Sequence, residues 1–279
     1  MIVTRFAPSP TGYLHLGHAF AALTAFEAGD RFLLRIEDID TTRCKPKFEA
    51  AIAEDLVWLG LRWEQPVLHQ SSRFAAYRAA LDRLRTFGLL YPCFCTRNDI
   101  AEEIARAADA PSGPEGHLYP GTCRTLRENE RQARIAAGEA YALRLDAAAA
   151  AKHLGLLAFQ ENGAGPDGEH GTIVVDPLLF GDVVLARKET PVAYHLAVVV
   201  DDAHQGVTLV TRGNDLFAAA HVQRVLQALL ALPVPDYAHH RLILDTQGRK
   251  FSKRDHAVTL RDLRAGGSTR EDIRARIKL

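Results

Sequence analysis

Apolar residues along the chain switch between two periods. From Lys47 to Leu61 and from Ser72 to Gly88 they recur every third or fourth position, which puts Trp58, Leu59, Phe74, Leu81 and Leu84 on the buried sides of two helices. Asp99–Ala108 and the charged stretch Leu126–Ala140 predict two more, and the alanine run Ala147–Ala151 suits a solvated helix or connector. Short β-rich runs predict strands at Tyr141–Leu145, Thr172–Val175, Asp182–Arg187, Leu196–Val200 and Val207–Thr211. Ala110–Pro114 and Asn162–Gly168 are loops by their glycine and proline content. The second has no helix and no lysine behind it, so it does not read as a phosphate cradle.

At the N-terminus the apolar run Met1 to Val3 leads into Arg5-Phe6-Ala7-Pro8-Ser9-Pro10-Thr11-Gly12-Tyr13-Leu14-His15-Leu16-Gly17-His18. Pro8 and Pro10 fix their own φ and push Ala7 and Ser9 towards extended geometry, and Gly12 permits a bend. Gly17 to Ala28 is then a helix ending at Gly29-Asp30, and Phe32–Ile36 is a strand. Strand, helix and strand within this length make one βαβ unit, so the loop before the helix lies at the carboxyl edge of a parallel sheet. Ligands bind at that edge, and a helix N-terminus there attracts phosphate. His15 and His18 can donate hydrogen bonds to phosphate oxygens, while Gly17 lets a flat base approach the backbone. The same residues are equally consistent with two exposed histidines, or with an i,i+3 metal pair lacking a third ligand.

Composition narrows the class. Lys plus Arg equals Asp plus Glu at 34 each, which argues against broad nonspecific nucleic-acid binding and leaves only a local basic face. With 47% apolar and 24% charged residues, 279 residues suffice for one large or two medium soluble domains. No apolar run approaches the ~18 residues of a membrane helix, and no basic-then-apolar leader opens the chain, so a cytoplasmic protein is expected. Three of the four cysteines, Cys93, Cys95 and Cys123, fall close together, which suits reduced thiols or a metal site better than a secreted disulfide framework. They supply three soft ligands where a structural zinc takes four. His117, ordinary by ligand chemistry, and Tyr119, an unusual phenolate, are the candidates for the fourth. Cys44 stands apart as a small buried residue. Glu37, Asp38 and Asp40 follow a strand end and could cap the next helix, although an acid there also suits an ammonium group. Lys250-Phe251-Ser252-Lys253-Arg254 is by composition an exposed basic loop.

Pro8 to His18, ending in His15-Leu16-Gly17-His18, resembles the HIGH signature of class I aminoacyl-tRNA synthetases, and Arg5–Gly12 resembles the opening of their glutamyl branch. Lys250–Arg254 resembles the KMSKS signature, with Phe for Met and Arg for the final Ser. Arg35-Ile36-Glu37-Asp38, Ala193–Leu196, Val200-Asp201-Asp202 and Thr211–Leu216 follow in family order. The resemblance implies an α/β fold: a Rossmann-type parallel-sheet class I synthetase catalytic domain with an inserted zinc-binding module. Residues 1–92 and 172–254 would be its two halves, 93–124 the zinc module, 125–171 a helical connective insertion and 255–279 a short tail. It implies ATP with magnesium as co-substrate, bound by Gly17, Lys250 and Lys253, with His15, His18 and Lys253 as the catalytic groups. It implies an L-glutamate pocket of Arg5, Ala7, Ser9, Glu37, Tyr194 and Arg212, in which Arg212 would grip the side-chain carboxylate. It also implies one structural zinc on Cys93, Cys95, Tyr119 and Cys123.

Only 279 − 254 = 25 residues follow Arg254, so no anticodon-binding domain is expected. The stand-alone glutamyl-Q branch is similar in this respect; its members activate glutamate and attach it to queuosine in the tRNA(Asp) anticodon. The expected partners are therefore glutamate, ATP and queuosine-bearing tRNA(Asp), with no membrane and a monomeric chain. A truncated synthetase charging the tRNA 3′ end, a non-catalytic RNA-binding paralogue and a small-molecule ligase of the wider superfamily are the competing readings.

Overall fold

The structure, a computed structural model, describes residues 1–106, 111–187, 190–244 and 258–279. Strand β1 (Val3–Phe6), helix α1 (Leu16–Ala28) and strand β2 (Arg31–Ile36) form the first unit, with β1 and β2 parallel from Val3 opposite Arg31 to Phe6 opposite Leu34. Helix α2 (Pro46–Trp58) starts with proline at its first position, where a missing N–H costs nothing, and leads to β3 (Glu64–His69), which pairs parallel to β2. Then come α3 (Phe74–Thr86), β4 (Leu90–Cys93), α4 (Arg97–Arg106), the two-residue strands β5 (Ser112–Gly113) and β6 (Gly116–His117), α5 (Glu128–Ala136), β7 (Ala142–Leu145) and α6 (Ala147–His153). The remainder is β8 (Ala158–Glu161), β9 (Gly171–Val174), β10 (Val184–Ala186), α7 (Tyr194–Gln205), β11 (Leu209–Gly213), α8 (Ala219–Leu229), β12 (Asp236–His240), α9 (Leu260–Ala265) and α10 (Arg270–Ile277).

Strands β11, β12 and β8 run parallel, with β9 antiparallel outside β8. The first and second parallel sheets meet at β1 and β11, where the Thr208 amide donates to the Val3 carbonyl at 3.0 Å and the Val3 amide donates to Thr208 Oγ1 at 2.9 Å. A separate antiparallel sheet, β10-β7-β4, adjoins the segment that contains the cysteines, Cys93 ending β4 itself. One apolar core packs around α7 and α8. A second surrounds α1 and includes Leu14, Phe20, Leu23, Ile52 and Leu56, with Leu260, Ile273 and Ile277 from the last two helices fully buried in it. Among the described residues no helix is long and apolar enough to cross a membrane.

One expected strand is a helix. Leu196–Val200 lies inside α7, where Leu196, Ala197, Val198 and Val199 are all buried. A β-branched run favours a strand only where a sheet is its neighbour; here Leu196–Val199 make one fully buried apolar turn of the helix, and that enclosure outweighs the strand propensity.

Candidate active site

His15 is the N-cap of α1, with extended φ and ψ of −127° and 178°. Its Nδ1 accepts the Gly17 amide at 3.2 Å, while its own amide donates to His18 Nδ1 at 3.2 Å. Two histidines thus form the reciprocal capping box that Ser and Glu usually make, their rings 3.8 Å apart. Since both Nδ1 atoms accept, the proton of each neutral ring sits on Nε2. A side chain at position 17 would meet the His15 ring at 3.1 Å, so glycine keeps that ring in place. Lys250 and Lys253 lie outside the described residues. The chain downstream of them returns to this point: Thr259 bridges to His15, and the Leu260 amide donates to the Leu14 carbonyl at 2.8 Å.

Of the candidate amino-acid residues, Arg5, Glu37 and Arg212 lie towards the carboxyl ends of β1, β2 and β11. Arg5 Nε donates to Asp202 Oδ1 at 2.9 Å, and Arg35 Nη1 donates to the same oxygen at 2.7 Å. Arg35, fully buried, also reaches Gln205 at 3.0 Å and Glu37 Oε1 at 3.5 Å. Arg5, Asp202, Arg35 and Glu37 therefore form one continuous charged chain. Burial acts to raise the Asp202 carboxyl, but Arg5 and Arg35 outweigh it and hold the group below the usual carboxylate range. At Glu37 burial prevails over Arg35 and Arg5, and the pKa is raised. The neighbouring Asp201 takes different partners, Gln70 at 2.8 Å, Arg73 at 2.7 Å and the Tyr77 hydroxyl at 2.7 Å. The adjacent acids thus tie α7 both to β1 and β2 and to the start of α3.

Ala7 and Ser9 are half-buried in the loop after β1, and the Glu37 amide donates to the Pro8 carbonyl of that loop at 3.0 Å. Asp38 and Asp40 have structural partners: Asp38 accepts from the Ser71 amide at 2.8 Å, and Asp40 from the Thr42 hydroxyl at 2.6 Å. Neither caps α2, whose N-cap is Lys45. Arg212 on β11 is buried and adjoins Arg5, whose Nη1 reaches the Thr211 carbonyl at 3.4 Å. Tyr194 opens α7 beside His195, whose pKa burial lowers to about 4, so that ring is neutral. Both line a cavity of about 450 Å³ that reaches across to His117 and Tyr119 of the insertion.

The sulfur atoms of Cys93, Cys95 and Cys123 lie within 4.8 Å of one another. Cys95 Sγ is 3.4 Å from Cys123 Sγ and 3.5 Å from the Tyr119 hydroxyl, which accepts the Cys123 amide at 2.9 Å. Tetrahedral zinc with bonds of about 2.3 Å separates thiolates by about 3.8 Å, so the spacing fits a metal. The shared hydrogen bond with Cys93 lowers Cys123 to about 6, and the same bond lifts Cys93 to about 12. Burial pushes the Tyr119 phenol up, a preference that a bound cation would reverse. His117 is exposed on β6, hydrogen-bonded to Ser112 at 3.1 Å, and stands outside this group. Cys44, expected to be buried, is only half-buried, its thiol 3.8 Å from the Glu37 carbonyl.

Glu161, Gln223 and His239 are buried around Arg212 and carried no motif of their own. The one available signal was a polar group inside an apolar stretch, as with Glu161 in β8 and Gln223 in α8, since such groups are buried only when paired.

A family model described as tRNA synthetases class I (E and Q), catalytic domain, matches residues 1–279. The glutamyl-Q tRNA(Asp) synthetase of Rhodobacter capsulatus is 50% identical, with 100% of both chains covered. That of Nocardia farcinica is 45% identical over 97% of this chain and 82% of its own. Among solved structures, glutamate-tRNA synthetase from Elizabethkingia anophelis superposes with a TM-score of 0.72 at 27% identity, covering 91% of this chain and 53% of that one. The present chain thus spans about half the length of that synthetase.

Proposed function

The chain belongs to the class I tRNA synthetase family with the E and Q type of catalytic domain and is a ligase; from that premise we propose that it activates L-glutamate with ATP and transfers it to queuosine in the anticodon of tRNA(Asp). The observation that carries the reading is the end-to-end match to relatives bearing that name. On this reading ATP, carrying magnesium, lies against the start of α1, where the Nε2–H groups of His15 and His18 meet phosphate oxygens, and Lys250 and Lys253 of the second signature add positive charge for the phosphates. Glutamate lies over the carboxyl ends of β1, β2 and β11, its ammonium towards Glu37 and its side-chain carboxylate towards Arg212, with Arg5, Ala7, Ser9 and Tyr194 completing the pocket.

The glutamate α-carboxylate attacks the α-phosphate of ATP and releases pyrophosphate. A hydroxyl of the queuosine cyclopentene diol then attacks the mixed-anhydride carbonyl and expels AMP. The protein supplies position and fixed charge, and no side chain is a nucleophile. Zinc, held by Cys93, Cys95, Cys123 and Tyr119, would act as a structural crosslink within the insertion.

The test incubates the protein with radiolabelled glutamate, ATP and tRNA(Asp). Incorporation is expected to survive removal of the 3′ terminal adenosine and to vanish when guanine replaces queuosine. The opposite pattern would assign conventional charging of the 3′ end.

A further inference from the structure

We propose that the buried pair Glu161 and His239 is a positioning dyad that fixes the Arg212 guanidinium with a buried donor-only edge left unpaired, and so selects a side-chain carboxylate over an amide. The inference rests on the reading of Arg212 as the group that grips the substrate side chain.

Arg212 Nε donates to His239 Nε2 at 3.0 Å, and Nη1 donates to Gln223 Oε1 at 2.9 Å. Nη2 is buried and finds no partner among the described residues, and the amide nitrogen of Gln223 is in the same position. The first contact requires His239 Nε2 to be an acceptor, so the ring must be neutral with its proton on Nδ1. Glu161 enforces that tautomer. Its Oε2 lies 2.5 Å from His239 Nδ1, and its Oε1 accepts the amides of His239 and Gly163, each at 2.8 Å. An ionised carboxylate can accept all three hydrogen bonds and can donate none.

The surroundings hold the dyad rigidly. Glu161 and His239 are almost wholly buried, on β8 and β12, and the His239 ring lies parallel to Tyr237 within 3°. The turn after β8 is pressed against β12, and a side chain at Gly163 would overlap the His239 carbonyl oxygen. Neither member of the dyad is hydrogen-bonded to the unpaired Nη2 edge, so each acts through Arg212. A site that presents only N–H groups pairs with both oxygens of a carboxylate, whereas an amide must turn its own N–H towards a donor, which leaves buried groups unpaired.

The experiment measures ATP–pyrophosphate exchange with glutamate and with glutamine for the native chain, His239→Leu, His239→Gln, Glu161→Gln and Arg212→Ala. His239→Leu should raise the glutamate KM about tenfold or more, as expected for losing a hydrogen bond to a charged group, with kcat within a few-fold and weaker preference over glutamine. His239→Gln offers a carbonyl oxygen where Nε2 stood and should restore most of the KM. Glu161→Gln lets the amide donate to Nδ1, which turns Nε2–H against Arg212, and should behave like His239→Leu. Should Arg212→Ala lose glutamate binding while His239→Leu and Glu161→Gln keep it, the dyad is overturned and the pocket reading stands; if Arg212→Ala keeps it, the pocket reading itself falls. Independently of folding in any variant, nitrogen-15 spectra of the native protein near neutral pH should show His239 as the Nδ1–H tautomer. An Nε2–H or doubly protonated ring there would overturn the proposal.

Discussion

Asp55, on the inner side of α2, shows what an isolated charge costs. Both carboxylate oxygens are buried without a hydrogen-bond partner among the described residues, and the nearest cation is Arg264 at 3.5 Å. Burial outweighs that attraction and raises the pKa from 3.8 to about 6. The folded chain therefore holds a proton that the unfolded chain releases, so stability is full below the unfolded value and falls as pH rises from about 4 to about 6. Asp55→Asn should stabilise the protein at pH 7 by on the order of 1 to 3 kcal/mol in urea unfolding, with the gain disappearing below about pH 4. Asp202 has the opposite sign: its carboxylate is held ionised by Arg5 and Arg35, and its contribution is present at neutral pH and lost in acid. Asp202→Asn leaves two buried guanidinium groups short of a counter-charge and should cost about 3 to 5 kcal/mol, read as a lower urea midpoint. These roles were invisible along the chain, because a position number does not reveal that Arg5, Arg35 and Asp202 share one oxygen.

At the scale of elements, the N-terminal βαβ unit was legible because proline, glycine and apolar period all point the same way there. Strands β3, β8 and β12 were not. Strand β3 carries Pro66 and lies at a sheet edge, where proline is tolerated, and the sequence of β12, Asp-Tyr-Ala-His-His, is polar because His239 serves the Arg212 network. Helix α7 was misread since three consecutive valines carry strand propensity but no information about their neighbours. In the candidate site, Glu37 stood out by charge beside a strand end and Arg212 by the family resemblance, whereas Glu161 and Gln223 depend on how β8 and α8 come to lie beside β11 and β12. The cysteines were legible by spacing alone, and they join the end of β4 to the turn that holds Cys123. Elemental analysis of protein purified without chelators should find about one zinc per chain. Cys123→Ser should lose that metal and lower the melting temperature, while adenylate formation per folded molecule changes little.

At the scale of the whole molecule, the two cores divide the chain in space differently from its order. The α1 core takes Leu260, Ile273 and Ile277 from the last two helices, each fully buried. Ile273→Ala should therefore destabilise the N-terminal unit by about 2 to 5 kcal/mol, measured as earlier loss of amide protection in α1. The bridge between His15 and Thr259 has a further consequence for the order of assembly. It closes a loop of 259 − 15 = 244 residues, and contacts that span so much chain contribute only after the closure entropy has been met. A chain emerging from the ribosome can form β1, α1 and β2 early, but the histidine cap gains its C-terminal neighbour only after residue 259 has been synthesised. A nascent chain stalled before that point therefore holds the histidine cap without the backbone bridge that braces it.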